Sequence, residues 1–132
     1  RLRNASVRDS VISEGCRIAE AQLENCMIGL RSVICSGSVM RNVIMMGADY
    51  YEDGKVLARY EEVPPDAPFM GVGENCIIER TIIDKNARIG AGCRITNSQG
   101  YDHYDDPQER YYIRDGIIII PKHAILEPGT VI

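Results

Sequence analysis

Residues 72–97 read VGENCIIERTIIDKNARIGAGCRITN, and the spacing of their aliphatic side chains decides the fold. Val72, Ile78, Ile83, Ile89 and Ile95 recur at steps of six, five, six and six. A strand alternates with period two and a helix with period 3.6, so neither describes the stretch. Steps near six are the signature of a hexapeptide β-helix. Each hexapeptide then supplies a short strand with one inward aliphatic, followed by a turn. Successive coils stack like residue over like, as a solenoid.

The turn residues give a second test, because only a small side chain fits inside a tight corner. Four residues after an inward aliphatic stand Cys16, Ser32, Ser38, Cys76, Ala87, Cys93, Ala124 and Thr130, all of them small. The same period extends outward from the central stretch in both directions. Ile12, Ile18, Leu23, Ile28, Ile34 and Met40 precede it, and Ile120, Leu126 and Ile132 follow. Gly15, Gly29 and Gly37 offer permissive backbone at corners. Which corners take the five-residue steps is left open by the spacing.

The 132 residues are expected to form a single domain over 1–132, an all-β parallel β-helix with a narrow Ile, Val and Leu core. Two breaks interrupt the period, and both are read as loop excursions. The first, 47–71, holds paired tyrosines, an Asp53–Gly54 turn, a charged stretch, and Pro64, Pro65 and Pro68. The second, 98–116, holds Asp102, His103, Asp105 and Asp106. Adjacent carboxylates between Gly and Pro are expected to face solvent, and no calcium-loop spacing is present, so no metal site is expected. A net charge of −4 with no basic run argues against a nucleic-acid partner. No apolar run is long enough to span a bilayer and nothing resembles a secretory leader, so no membrane partner is expected. The first residue is Arg1, which suggests a piece of a longer protein. The five cysteines are odd in number and form no C-x-x-C pair, so they read as buried thiols of a reducing compartment.

No nucleophile, base and orienting group stand in a recognisable arrangement, and Gly71 and Gly73 lack the continuation of a nucleotide loop. No catalytic residue is therefore assigned. Lys85 lies two positions past Ile83 and Lys122 two positions past Ile120, which are equivalent slots of the repeat. If their coils share a face, the two ammonium groups converge on a small polyanion, with Arg114 or Arg88 nearby.

Several runs resemble a known family. SVISEGCRI (10–18), MIGLRSVI (27–34), MMGADYYE (45–52), IIDKNARIG (82–90) and RDGIIIIPKHAILEPGTVI (114–132) are similar to the C-terminal domain of ADP-glucose pyrophosphorylase (glucose-1-phosphate adenylyltransferase) of the plant and cyanobacterial type. The resemblance implies a left-handed parallel β-helix. It implies a parent enzyme that makes ADP-glucose and pyrophosphate from ATP and glucose 1-phosphate with Mg²⁺, for glycogen or starch synthesis. The catalytic residues would lie in an N-terminal nucleotidyltransferase domain. This domain would serve tetramer assembly, homo- or hetero-, and allosteric control by 3-phosphoglycerate and phosphate, in a bacterial cytoplasm or the plastid stroma. Lys85 and Lys122 match the family's activator-binding lysines. The chain departs from the family at Pro121, directly before Lys122, and over 98–110. The effector therefore stays open between 3-phosphoglycerate and another phosphorylated metabolite such as fructose bisphosphate. Two other readings are a hexapeptide acyltransferase with His123 as general base, and a purely architectural solenoid that buries its flank against a copy of itself.

Overall fold

The computed structural model describes residues 1–52 and 63–132. The chain winds through three faces per turn. The first coil places β1 (Leu2–Arg3), β2 (Ser6–Arg8) and β3 (Val11–Ile12) on them in order. The second repeats the circuit with β4 (Arg17–Ala19), β5 (Gln22–Glu24) and β6 (Met27–Ile28). In the third, β7 (Val33–Ile34) is followed by β8 (Val39–Met45), which runs on through a corner to occupy two faces. The fourth does the same with β9 (Gly71–Val72) and β10 (Ile77–Ile83). The fifth begins with β11 (Arg88–Ile89) and β12 (Arg94–Ile95).

The fifth coil then leaves the circuit for a hairpin, β13 (His103–Asp105) and β14 (Tyr112–Arg114), and returns as β15 (Ile117–Ile120). The last strand is β16 (Ile125–Leu126). Strands of successive coils pair in parallel: Leu2 lies beside Ile18 and Gly71 beside Arg88, so a plain turn takes sixteen or seventeen residues. The two excursions show as jumps in that register, from Ile34 to Val72 and from Ile83 to Ile120.

The inward column is the one expected from the hexad period. Ile18, Leu23, Ile28, Ile34, Met40, Val72, Ile78, Ile83, Ile89, Ile95, Ile120 and Leu126 are all buried, and Ile12 is half-buried at the open end. Small residues fill the corners as expected, and several bind carbonyls there. Ser32 Oγ donates to the Gly29 carbonyl at 2.8 Å, and Ser38 Oγ to that of Gly73 at 2.7 Å. Cys16, Cys26, Cys76 and Cys93 are buried free thiols and Cys35 is half-buried. Contact with Cys93 and burial push the Cys76 thiol well above its ordinary value.

The corner between the second and third faces is always the five-residue step: Leu23 to Ile28, Met40 to Met45, Ile78 to Ile83. Asn25, Asn42 and Arg80 turn it with positive φ. The corners thus rely on Asn and other non-glycine residues in the left-handed region more than on glycine, which Asn tolerates through local side-chain hydrogen bonding. Gly29 is required for a different reason: a Cβ there would lie 2.3 Å from the Met46 carbonyl oxygen of the next coil.

The two excursions differ from plain loops. The Asp53–Gly54 turn and the charged stretch that follows lie outside the described residues. The second excursion is folded as a hairpin whose β14 pairs antiparallel with β15, so it extends the third face where the next coil's strand would lie.

Candidate functional site

The site is the corner between the third and first faces. Ile83 pairs with Ile120 and Arg88 with Ile125, so everything between them is stacked: Asp84, Lys85 and Asn86 over Pro121, Lys122 and His123. The His123 backbone N–H donates to the Lys85 carbonyl at 3.0 Å, which ties the two corners together. Lys85 and Lys122 are therefore on the same edge of the solenoid, one coil apart, which is about 4.8 Å of backbone separation. Both are exposed. His123 serves the turn, with φ of +62°, and is exposed.

The first excursion begins on this edge and brings a carboxylate to it. Asp49 Oδ1 lies 3.2 Å from Lys85 Nζ. Asp49 Oδ2 accepts from Asn86 Nδ2 at 3.0 Å, and the Asp49 N–H donates to Asn86 Oδ1 at 2.9 Å. Asn86 is buried, at φ +61°, so it presents both ends of its amide from a fixed position. The Asn86 bond, then the Lys85 bond, and at longer range the charge of Lys122 hold the Asp49 carboxyl below its ordinary value. That carboxylate lies in the field of both lysines.

The residues on either side of Asp49 are held as well. Arg31 Nε donates to the Ala48 carbonyl at 2.9 Å. The Tyr51 hydroxyl donates to the Gly15 carbonyl at 2.5 Å, with the Arg17 guanidinium 3.9 Å above its ring. Glu52 is buried against Arg88: its Oε2 lies 2.5 Å from Arg88 Nη2, an ion pair without hydrogen-bond alignment, and its Oε1 accepts from the Met70 N–H at 3.1 Å. Arg88 Nη1 also donates to the Pro68 carbonyl at 3.2 Å. A cavity of about 280 Å³ between this segment and the first face is lined by Arg17, Arg31, Tyr50, Tyr51, Phe69 and Met70, among others.

The cations named from the sequence thus divide. Lys85 and Lys122 come together. Arg88 lies nearby in sequence but is buried and committed to Glu52 and Pro68. Arg114 is elsewhere: it pairs with Ile117, at the other end of the strand that leads to Lys122, roughly 16 Å along the chain at strand rise. Its guanidinium binds Asp105 at 2.6 Å and the carbonyls of Tyr104 and Ile113. Two carboxylates of the hairpin are likewise occupied by arginines, Asp105 by Arg114 and the buried Asp106 by Arg110 at 2.8 Å. Among the described residues no group of three or more His, Cys, Asp or Glu side chains is placed to hold a metal. Asp49 and Glu52 are signalled in the sequence only by the run MMGADYYE and Asn86 only by IIDKNARIG, and neither run says which coil the excursion touches.

Comparison with known proteins agrees with this architecture. The chain is 41% identical, over its whole length, to the small subunit of chloroplastic/amyloplastic glucose-1-phosphate adenylyltransferase of Triticum aestivum, and spans 28% of that protein. It also matches a family described as the GLGC left-handed parallel beta-helix domain over residues 1–131. With the inward column, the three faces and nearly every residue inside that match, the chain belongs to the GLGC left-handed parallel beta-helix family, the hand included.

Proposed function

We propose that this chain is the regulatory and assembly portion of a glucose-1-phosphate adenylyltransferase, and that the edge carrying Lys85 and Lys122 binds a phosphorylated effector. The parent enzyme would make ADP-glucose from ATP and glucose 1-phosphate with Mg²⁺ in a nucleotidyltransferase portion that the wheat relative's extra length has room for. The observation that carries the effector reading is the stacking of the two lysines on one corner of successive coils. A phosphoryl group is small enough to take both ammonium groups at once, and lysine binds it as a point charge. 3-Phosphoglycerate and inorganic phosphate are the effectors expected, and Arg114, turned toward its own hairpin, is not offered as a third contact.

Assembly with like subunits is part of the same reading. The outward side of the third face supports it: Val11, Met27 and Ile44 are exposed and lie in register with Ile82 and Ile119, an apolar ladder along the solenoid. The relative's chloroplastic/amyloplastic location points to the plastid stroma over a bacterial cytoplasm.

Lys122→Ala in the enzyme assembled with its nucleotidyltransferase portion is the test. Loss of a charge-assisted contact of roughly 1.5 kcal/mol or more raises the half-saturating concentration of 3-phosphoglycerate about tenfold. An unchanged activation curve overturns the effector reading.

A further inference from the structure

The lysine edge carries its own competitor. Asp49 reaches Lys85 from outside the repeat, and its two carboxylate oxygens are satisfied by Lys85 Nζ and Asn86 Nδ2. These are the kinds of donor that a bound phosphoryl group would use. The backbone just before Asp49 is fixed to the neighbouring coil: the Ala48 N–H donates to the Leu30 carbonyl at 2.8 Å, and Arg31 holds the Ala48 carbonyl. The Asp49 side chain itself is 44% exposed, so rotation about its own torsions is enough to clear the lysine.

We propose that Asp49 is an internal competitor for the anion site, neutralising Lys85 in the absence of effector and yielding the ammonium to a phosphoryl group when one binds. This rests on the effector reading above. A tethered carboxylate is present at an effective concentration of the millimolar order or higher, which a free monocarboxylate does not exceed. A dianionic phosphoryl group does better, because it carries more charge and engages Lys85 and Lys122 together. Asp49 thereby sets the class of ligand, excluding simple carboxylates and admitting phosphate esters. Its departure also frees Asn86 Nδ2, so occupancy of the anion site is felt at the first residues of the excursion.

The test follows the Asn86 side-chain amide by ¹⁵N NMR at pH 8 while this chain is titrated with inorganic phosphate or with acetate. Phosphate is expected to move the Asn86 signal and acetate to leave it in place. Asp49→Asn keeps the shape and the Asn86 contact, removes the charge, and is expected to bind phosphate about fivefold tighter. Asp49→Ser, too short to bridge to Lys85, is expected to do the same. In a Lys85→Gln background the Asp49→Asn gain falls below about twofold, which a merely structural role of Asp49 would not produce. If Lys85→Gln/Lys122→Gln weakens phosphate binding while both Asp49 variants bind it no more tightly than the parent chain, the anion site stands and the competitor is overturned. If neither the parent chain nor the folded Asp49 variants bind phosphate, the effector reading falls with it.

Discussion

The two excursions start from the same kind of interruption and end in different relations to the solenoid. The first, after Met45, is sewn into the lysine edge: Asp49 to Lys85 and Asn86, Glu52 to the buried Arg88. The second, after Asn97, folds on itself: β13 and β14 pair antiparallel, Tyr101, Tyr104 and Tyr111 stack at 4.9 and 5.9 Å, and Asp105 and Asp106 are closed off by Arg114 and Arg110 of the same hairpin. Both segments are acidic and tyrosine-bearing in sequence. What separates them is where the partners lie: those of Asp49 and Glu52 on the coil, those of Asp105 and Asp106 on the excursion itself. Under the effector reading proposed above, only the first kind passes a ligand's arrival between the edge and the excursion.

That contrast gives an ordered set of expected losses. Glu52→Ala should be the largest, because it takes a buried carboxylate away from the buried Arg88 guanidinium. About 3 to 5 kcal/mol is expected, read as a lower midpoint in urea unfolding. Asp106→Asn acts inside the hairpin, where the bonded Arg110 is partly exposed and can turn to water; about 1 to 2 kcal/mol is expected in the same measurement. If the two variants cost the same, the distinction between a sewn and a self-contained excursion is lost. Asp49→Asn, on the exposed edge, should stay within about 0.5 kcal/mol of the parent.

Acid gives a further separation. Asp106 is held below the ordinary carboxylate value of 3.8, first by the Arg110 side chain. A carboxyl whose folded value is depressed contributes stability above its unfolded value and loses it as pH falls through the folded one. The parent chain should therefore lose stability as pH drops below about 4, more steeply than Asp106→Asn does. Asp49 is depressed in the same direction, but its exposure makes its share of that acid slope the smaller. An acid limb as steep in Asp106→Asn as in the parent chain would remove Asp106 from this account.

A similar difference separates two outward faces built on one register. On the second face Arg8, Glu24, Arg41 and Glu79 succeed one another from coil to coil with alternating sign, Glu24 to Arg41 at 3.8 Å and Arg41 to Glu79 at 3.3 Å. Such exposed pairs contribute little stability and keep the face in water. On the third face the corresponding ladder is Val11, Met27, Ile44, Ile82 and Ile119. The inward pattern is equally aliphatic on both, so the backbone is indifferent to the contrast. It lies in the outward residues alone.

Much of this was legible beforehand, for a physical reason. A solenoid contacts only its neighbouring coils, so the hexad period of Ile18, Ile34, Ile78 and Ile89 states the core directly, and Lys85 and Lys122 hold a shared slot in that period, which the register of β10 and β15 turns into stacking. Corner identity was not legible, because five- and six-residue steps both turn on one left-handed residue, and Asn25 and Arg80 in the first kind or His123 in the second adopt that backbone where glycine was expected. Arg114 was read as near the lysines because it is near Lys122 in sequence, and the antiparallel turn into β15 sent it to the far end of the strand.

The amino-acid sequence alone determined the β-helix, its inward column, its small corners and the equivalent slots of the two lysines, since these follow from local repetition and nearest-neighbour stacking. Tertiary structure decided where each excursion returned its charges. Asp49 meets Lys85 from 36 residues away and Glu52 meets Arg88 across a similar separation, and no period in the sequence encodes a contact made once.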